Sequence, residues 1–203
     1  MTRLPDGERV RTYLVWAGWV GVAFFAVYPT MNWLTSLRSQ RLHLYAPQEL
    51  ALPLVPQFIW PYLSLYALFL APPFFLPVAR MPSLGKQLIA GTLASGVLFL
   101  LFPAELGFVR AVPVDTPYAS VFAAIFSVDR PYNLVPSLHI VYATAIASAC
   151  AEVAGPLVRR ALFAWLAMIA AATLLVHQHH VVDVITAFAL VILLRRRYGV
   201  TYV

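Results

Sequence analysis

The chain alternates long apolar segments with short polar stretches, a pattern that predicts helices crossing a membrane. Six apolar segments can be marked: residues 13–34, 57–78, 88–102, 138–153, 161–176 and 181–194. A hydrocarbon core of about 30 Å takes roughly 17 to 25 residues per helix, so the third, fifth and sixth segments are short for complete spans. Short helices are tolerated where polar neighbours line a cavity inside the protein. The pattern predicts an all-α fold, an integral membrane bundle of six transmembrane helices that forms one domain over residues 1–203.

Two stretches are expected to depart from regular helix. The second apolar segment should be kinked, because proline removes a backbone donor and clashes with the preceding turn. Its prolines are Pro61, Pro72, Pro73 and Pro77. Residues 103–135, between the third and fourth segments, are predicted to form a linker.

Composition supports a bilayer environment. Hydrophobic residues make up 62% of the chain and charged residues 11%, against about 25% charge in soluble domains. The net charge of +6 does not indicate nucleic-acid binding, because no basic stripe is interleaved with exposed aromatic residues. Cys150 is the only cysteine and lies in an apolar segment, so disulfides play no part. These features exclude a soluble nucleic-acid binder.

The basic residues fall unevenly on the two sides of the predicted bundle. Ten lie on one side: Arg3, Arg9, Arg11, Arg80, Lys86, Arg159, Arg160, Arg195, Arg196 and Arg197. Four lie on the other: Arg38, Arg41, Arg110 and Arg130. Because cytoplasmic loops collect Lys and Arg, both termini are predicted to be cytoplasmic. The linker and the turn at residues 177–180 then face the non-cytoplasmic side.

A histidine and an aspartate stand four residues apart at the predicted start of the last helix. His179 and Asp183 would share one helix face, within hydrogen-bonding reach of each other. A carboxylate that accepts from one imidazole nitrogen fixes the tautomer and leaves the other nitrogen free to attack, as a histidine nucleophile requires. The alternative is structural: His179 anchors the membrane interface and Asp183 caps the helix. Asp183 is an ionisable residue at the start of an apolar span, and such residues are usually functional, which favours the functional interpretation.

Residues 129–139, before the fourth segment, are a second candidate for chemistry. Pro136 suits the first turn of a helix, and the free N–H groups that follow form a site for an anion such as phosphate. His139 would lie in that turn, where a bound phosphate dianion favours its protonated form and makes it a candidate general acid. Alternatively, His139 only hydrogen-bonds a loop carbonyl. Asp129 beside Arg130 is expected to form a local ion pair.

Two arginines offer charge for a phosphate. The planar guanidinium groups of Arg110 and Arg130 match phosphate oxygens, with lipid headgroup contact as the alternative for each. A metal site is a competing hypothesis, because imidazole and carboxylate groups cluster in one segment. That segment holds His177, His179, His180 and Asp183. Against a shared metal ion, the adjacent His179 and His180 point to different helix faces.

Two histidine motifs resemble those of the type 2 phosphatidic acid phosphatase superfamily. They are Pro136-Ser137-Leu138-His139, and His179 with an aspartate four residues on. The first motif has Leu138 where the superfamily usually has glycine. In this respect the chain is more similar to the branch that contains inositol phosphorylceramide synthases and their bacterial relatives. The resemblance covers most of the chain. It implies that His179 is the nucleophile that forms a phosphohistidine, that Asp183 orients it, and that His139 is the acid, while Ser137 and nearby backbone hold phosphate oxygens.

Two features depart from the superfamily's pattern. The usual Ser-Arg pair seven and six residues before the nucleophile is Ala172-Thr173 here. No Lys lies seven residues before Arg110 or Arg130. Phosphate charge must then be met by Arg110, by Arg130 or by His177, which stands where relatives of this branch often have Lys.

The resemblance implies a metal-independent membrane enzyme that needs no cofactor and acts on a phospholipid, a sphingolipid or a polyprenyl phosphate. With water as the second nucleophile it is a lipid phosphate phosphatase, which the short chain favours. With a lipid or polyol hydroxyl it is a lipid phosphotransferase, similar to inositol phosphorylceramide synthase. The missing Arg and Lys leave open a non-catalytic lipid-binding or transport protein. The expected location is a bacterial inner (plasma) membrane, with the active site on the periplasmic or extracellular face.

Overall fold

The structure is a computed structural model that describes residues 5–199, and these residues form helices joined by loops, with no β-strand among them. The α-helices, α1 to α9 in chain order, are Gly7–Ser36, Ile59–Leu63, Leu65–Leu68, Pro72–Phe75, Met81–Leu101, Ala119–Val128, Leu138–Val153, Pro156–Leu175 and Val181–Tyr198. Turns of 3₁₀ helix cover Pro47–Ala51, Pro56–Phe58 and Val78–Arg80. The all-α prediction is confirmed for this part of the chain. Arg3, one of the basic residues counted above, lies outside the described residues.

Three helical stretches are long and apolar enough to cross a membrane. They are Gly7–Ser36, Val78–Leu101 and Pro156–Leu175. Shorter apolar helices, Ala119–Val128 and Leu138–Val153, accompany them. The helices therefore support the prediction of a membrane protein at this coarser level. Six complete spans are more than these three, and that number stays a prediction.

The second predicted span is a series of short helical pieces. α2, α3 and α4 follow one another with turns between them. Pro72 and Pro73 begin α4, because a proline has no N–H to donate and fits the first turn of a helix. Pro77 then precedes the 3₁₀ turn that leads into α5. The expected kinks are present as breaks between helices.

A helix lies inside the segment predicted as a linker, so that prediction is wrong for ten of its residues. α6 packs through Phe122, which is fully buried beside Tyr62 of α2 and Val176 at the end of α8. A helix of ten residues is too short to cross a bilayer, so its apolar run falls below the length by which a membrane span is recognised. α6 covers the same end of the bundle at which α7 and α9 begin.

α7 is the central helix of the bundle. Ile140, Val141, Ile146 and Ala147 are all fully buried, although they lie on different faces of the helix. A helix that is apolar all round belongs in a core. α7 packs against α5, α8 and α9, while α1 packs along α5. The start of α7, which carries the first histidine motif, is therefore held from several sides.

The two ends of the bundle differ in the polar groups that they hold. At one end Glu152 forms ion pairs with Arg80 and Arg195. At the other end α7 and α9 begin, beside the loops that carry Arg110 and Asp129. Arg80 and Arg195 share a partner, as their assignment to one side of the bundle requires. The orientation of the bundle in the membrane stays a prediction.

Candidate active site

His179 and Asp183 form the central pair of the site, at the start of α9. His179 Nδ1 lies 3.0 Å from Asp183 Oδ2, and the same oxygen accepts the backbone N–H of His180 at 2.9 Å. Asp183 is only 2% exposed, so water hardly competes for these bonds. The carboxylate requires a proton on Nδ1, which leaves the lone pair on Nε2, an atom without a hydrogen-bond partner in residues 5–199. The two side chains thus make the contact that their spacing predicts.

A tight turn between α8 and α9 presents His179. The backbone N–H groups of Gln178 and His179 both donate to the Thr173 carbonyl, at 3.0 and 3.1 Å. His177 adopts a left-handed backbone conformation with φ of 54°. Such a conformation costs a non-glycine residue roughly 1–3 kcal/mol and persists only where surrounding contacts impose it. Here it reverses the chain between two helices.

The His177 side chain contacts the outer loops. Its Nε2 lies 3.0 Å from the Leu52 carbonyl, and its ring stacks on Phe108 with centroids 4.1 Å apart. Burial lowers the pKa of His177, an effect that the Leu52 hydrogen bond opposes. A neutral, stacked imidazole is a poor substitute for a lysine that binds phosphate. The structure does not bring His177 to the residues around the nucleophile.

The first histidine motif is tied directly to the second. Ser137 caps α7, since its Oγ accepts the backbone N–H of Ile140 at 3.4 Å. Its own N–H donates to the Asp183 carbonyl at 3.0 Å, which joins the starts of α7 and α9. Ser137 is fully buried. Its hydroxyl serves the helix cap as an acceptor, and the contact of Ser137 with phosphate stays a prediction.

His139 lies in the first turn of α7, as predicted, and packs against α2. Its ring stacks on Tyr62 with centroids 4.2 Å apart, and its Nε2 lies 2.8 Å from the Tyr62 carbonyl. Since a carbonyl only accepts hydrogen bonds, Nε2 carries a proton and Nδ1 is the nitrogen left to exchange one with a ligand. The bond to the Tyr62 carbonyl is the kind of contact that a purely structural role for His139 predicts. The His139 ring also lines a cavity.

This cavity, with a volume of about 600 Å³, connects the two histidine motifs. Its polar end is lined by His139, His179 and Asp129, and the remainder by apolar side chains of α1, the broken helix α2 to α4, α5 and α7. Ligand pockets in proteins have volumes of about 300–1,000 Å³. The cavity therefore has the size and the division into polar and apolar parts that suit an amphiphilic ligand.

Asp129 lines the same cavity, although the sequence analysis expected only a local ion pair for it. Its Oδ1 accepts hydrogen bonds from the Tyr28 hydroxyl at 2.9 Å and from Asn32 Nδ2 at 3.2 Å. Burial raises the pKa of Asp129, an effect that the Tyr28 hydrogen bond and the charge of Arg110 oppose. These partners replace the ion pair with Arg130 that adjacency suggested.

Arg110 reaches the residue next to His179. Its Nη2 donates to Gln178 Oε1 at 2.9 Å, and its Nη1 donates to the Asp129 carbonyl. The guanidinium carbon lies 5.0 Å from the centroid of the Phe126 ring. Burial lowers the pKa of Arg110, but arginine remains charged at neutral pH. One of the two predicted phosphate-binding arginines therefore lies beside the polar end of the cavity.

Arg130 has different surroundings. Its Nη1 lies 3.3 Å from Ser36 Oγ in an exposed position, and its carbonyl accepts a hydrogen bond from Asn32. Ser36 is the last residue of α1, so the Arg130 guanidinium lies at the rim of the bundle. A role at the lipid headgroups fits this position better than a role beside the nucleophile.

A loop residue holds the start of α9 from outside. Glu49 Oε2 accepts the backbone N–H of Val181 at 2.8 Å and lies 3.2 Å from His180 Nδ1. The Gly107 N–H donates to His180 Nε2 at 3.0 Å, so this ring carries its proton on Nδ1. Tyr45 stacks on the ring with centroids 4.4 Å apart. We call the contacts of Glu49 with His180 and Val181 the Glu49 clamp.

The four side chains considered for a metal site have separate partners. His177 contacts a loop carbonyl, and both nitrogens of His180 are engaged by the surrounding loops. In residues 5–199 no group of three His, Cys, Asp or Glu side chains is arranged to hold a metal ion. The side chains of His179 and Asp183 bond to each other, whereas the side chains of His177 and His180 bond to the surrounding loops.

Comparison of the chain with protein-family models, with curated proteins and with solved structures gives no match. The resemblance to the phosphatase superfamily therefore depends on the two histidine motifs. In the structure a backbone hydrogen bond from Ser137 to Asp183 joins the two motifs, and His139 and His179 line one cavity. Within residues 5–199, Nε2 of His179 and Nδ1 of His139 have no hydrogen-bond partner, and two such imidazoles can together serve as nucleophile and acid.

Proposed function

We propose that this protein is a membrane lipid phosphate phosphatase that acts through a phosphohistidine intermediate on His179. The observation that carries the proposal is the juxtaposition of His179 and His139 at the polar end of an apolar cavity. A lipid phosphate has the matching form, with a charged head and a hydrocarbon tail. Asp183 supplies the orienting carboxylate that a histidine nucleophile needs.

In the first step, the Nε2 lone pair of His179 attacks phosphorus, and the bond between phosphorus and the lipid oxygen breaks. The departing oxygen takes a proton from Nδ1 of protonated His139, whose Nε2 stays bonded to the Tyr62 carbonyl. The Asp183 carboxylate stabilises the positive charge that develops on the His179 ring. General acid catalysis of this kind contributes about 10²–10⁴-fold to the rate.

In the second step, a water oxygen attacks the phosphorus of phosphohistidine. His139, now neutral, accepts the water proton at Nδ1, and the bond between phosphorus and His179 Nε2 breaks. Inorganic phosphate leaves, and both rings return to their starting protonation states. Phosphoryl transfer depends mainly on positioning and on stabilisation of charge, which fixed side chains supply.

The phosphate charge is met by Arg110 and by the start of α7. The Arg110 Nε is buried and has no hydrogen-bond partner in the described part of the chain. A buried donor without a partner costs about 1–3 kcal/mol, so a nearby phosphate oxygen would be stabilised by it. The free backbone N–H groups at the start of α7 favour an anion as well.

We further propose that the chain crosses a bacterial plasma membrane six times, with both termini in the cytoplasm and the site on the periplasmic or extracellular face. Support comes from Arg80 and Arg195, which share Glu152 at the end of the bundle opposite His179. The broken helix α2 to α4 serves as the second span, because irregular backbone is tolerated where it lines a cavity. Substrate then arrives from the outer leaflet.

Phosphate release by purified protein in nanodiscs tests the proposal. Phosphatidic acid, phosphatidylglycerophosphate and a polyprenyl phosphate are offered, and hydrolysis of at least one is expected. His179→Ala should lower the rate by about 10⁴-fold or more, because the nucleophile is lost. His43→Ala, at an exposed loop histidine, is the matched control and should retain activity. Equal rates for wild type and His179→Ala, or no activity in either, would overturn the proposal and favour a non-catalytic lipid-binding protein.

The same preparation distinguishes hydrolysis from transfer. The phosphoenzyme is allowed to react in water with added inositol or diacylglycerol, and the products are separated. Inorganic phosphate is the expected main product. Phosphorylated acceptor formed faster than inorganic phosphate would identify a phosphotransferase instead.

A further inference from the structure

The apolar part of the cavity is long and has a closed end, which the chemistry at His179 does not require. We propose that it measures the hydrocarbon tail of the substrate: one chain extends from the phosphate along α1, and its tip stops at Tyr13 and Trp16. The identity of the head group rests on the proposed function. The inference adds a substrate class, namely lipid phosphates whose chain length matches the cavity.

The cavity follows α1 for most of the depth of a membrane. Its lining extends from Tyr28, which is bonded to Asp129 at the polar end, back to Tyr13. At 1.5 Å per residue, the 15 steps between these two tyrosines correspond to about 22 Å. A hydrocarbon core is about 30 Å thick. The cavity is therefore long enough for an extended chain and ends before the opposite surface.

The walls are apolar along this length. Side chains of α1, the broken helix and α5 face the cavity, among them Val20, Phe24, Leu65, Phe69, Leu84 and Leu88. The carboxylate and imidazole groups of the lining, Asp129, His139 and His179, are confined to the polar end. The hydroxyls of Tyr13, Tyr28 and Tyr142, which also belong to the lining, have hydrogen-bond partners within the protein. A tail that enters from a bilayer or micelle has already left water, so chains are distinguished by how far they fill the cavity and pack against its walls. The lining thus favours hydrocarbon.

Fixed contacts close the far end. The Tyr13 hydroxyl donates to the Phe69 carbonyl at 2.6 Å and bridges α1 to the turn before α4. The Trp16 ring packs directly over Gly85, where an added Cβ would lie only 2.4 Å from Trp16 Cε3. α4 and the 3₁₀ turn Val78–Arg80 also pack against α1. A chain longer than the cavity therefore meets a wall.

Gly21 allows the cavity to be shortened without disturbing the bundle. It lines the cavity about half way between Tyr13 and Tyr28, and a Cβ at this position meets nothing within 4 Å. Gly18 has the same open space around its Cβ position but is not part of the lining. Leucine at either position raises helix propensity equally. The two variants therefore differ in whether the new side chain fills the cavity.

The test measures kcat/KM for single-chain alkyl phosphates from hexyl to eicosyl phosphate, in mixed micelles at constant surface concentration. kcat/KM should rise as added methylenes fill the cavity and pack against its walls, until the tip reaches the closed end, and then fall. Gly21→Leu should move the maximum to shorter chains and Gly18→Leu should leave it unchanged. Trp16→Ala should move it to longer chains.

Two results separate this inference from the proposed function. A flat dependence on chain length, or the same maximum in Gly21→Leu and wild type, overturns the inference and leaves the phosphatase intact. No turnover with any chain counts against the phosphatase, and the cavity is then tested by binding. A terminally brominated alkyl phosphate should quench Trp16 fluorescence only when its chain is long enough, with Trp16→Phe as background. Quenching that is absent, or independent of chain length, overturns the inference.

Discussion

At the scale of single residues, hydrogen-bond partners give each imidazole its role. His179 keeps its proton on Nδ1 because Asp183 accepts it, and His139 keeps its proton on Nε2 because the Tyr62 carbonyl accepts it. In the proposed mechanism the two rings therefore contribute different atoms, Nε2 of His179 as nucleophile and Nδ1 of His139 as acid. His180 has partners for both nitrogens and has neither role.

Asp183→Asn tests the tautomer. An amide can donate to Nδ1, which stabilises the ring with its proton on Nε2 and removes the attacking lone pair. We expect kcat to fall by about 10²–10⁴-fold while the protein stays folded by circular dichroism. Asp115→Asn, the same change of charge at an exposed loop position, should leave kcat unaltered. A fall in kcat of less than about tenfold for Asp183→Asn would show that the carboxylate does not orient the nucleophile.

Asp129 should make stability depend on pH. Burial raises its pKa, so the folded state holds this proton more tightly than the unfolded chain does. Its contribution to stability is complete below the ordinary pKa of an aspartate and is lost as the pH rises through the raised pKa. Asp129→Asn still accepts from Tyr28 but cannot ionise, so its melting temperature should gain on wild type across that window. A difference in melting temperature that is constant with pH would contradict the raised pKa.

At the scale of elements, two helix starts were predictable because local residues mark them. α7 begins directly after Pro136 and Ser137, and α9 begins at Val181, two residues before Asp183, which caps the helix from its first turn. Both starts agree with the apolar pattern. The second span and α6 were harder, because prolines predict breaks without fixing the pieces, and a helix of ten residues resembles a loop between longer spans.

The partners of the site were less predictable than its nucleophile. His179 and Asp183 meet through helix spacing alone, whereas the contact of Arg110 with Gln178 depends on how a long loop folds over the bundle. One sequence signal was available for Asp129. Tyr28 and Asn32 lie one turn apart in an apolar helix, and such a polar face near a membrane surface indicates a buried partner.

The Glu49 clamp should stabilise the start of α9. Burial alone raises the pKa of Glu49, but backbone hydrogen bonds from Val181 and Ala46 contribute to lowering it overall. The ionised clamp therefore stabilises the fold above the ordinary pKa of a glutamate, and this contribution is lost as the pH falls through the lowered pKa. Glu49→Gln should lower the melting temperature at neutral pH, with a deficit that disappears in acid. Glu8→Gln, at an exposed position of α1, is the control; equal melting temperatures for all three proteins at neutral pH would refute a stabilising clamp.

For the whole molecule, the proposed topology requires that the segments before and after α7 lie on opposite sides of the membrane. Val109, 84% exposed, precedes α6 and α7, and Leu157, 78% exposed, follows α7. In a Cys150→Ala background, Val109→Cys should react with a membrane-impermeant maleimide added to intact spheroplasts. Leu157→Cys should react only after permeabilisation. Labelling of both from outside would contradict a crossing by α7, and the reverse pattern would invert the proposed orientation.

The central claim is that His179 carries the phosphoryl group from the lipid oxygen to water in two steps. Isolation of the phosphoenzyme is its most direct test: wild type is mixed with substrate radiolabelled at phosphorus, quenched in alkali, in which phosphohistidine survives, and digested for mass spectrometry. We expect phosphate on His179, formed and consumed fast enough to support turnover, and none in His179→Ala. Turnover without a phosphoenzyme, or phosphate on a different residue, would contradict it.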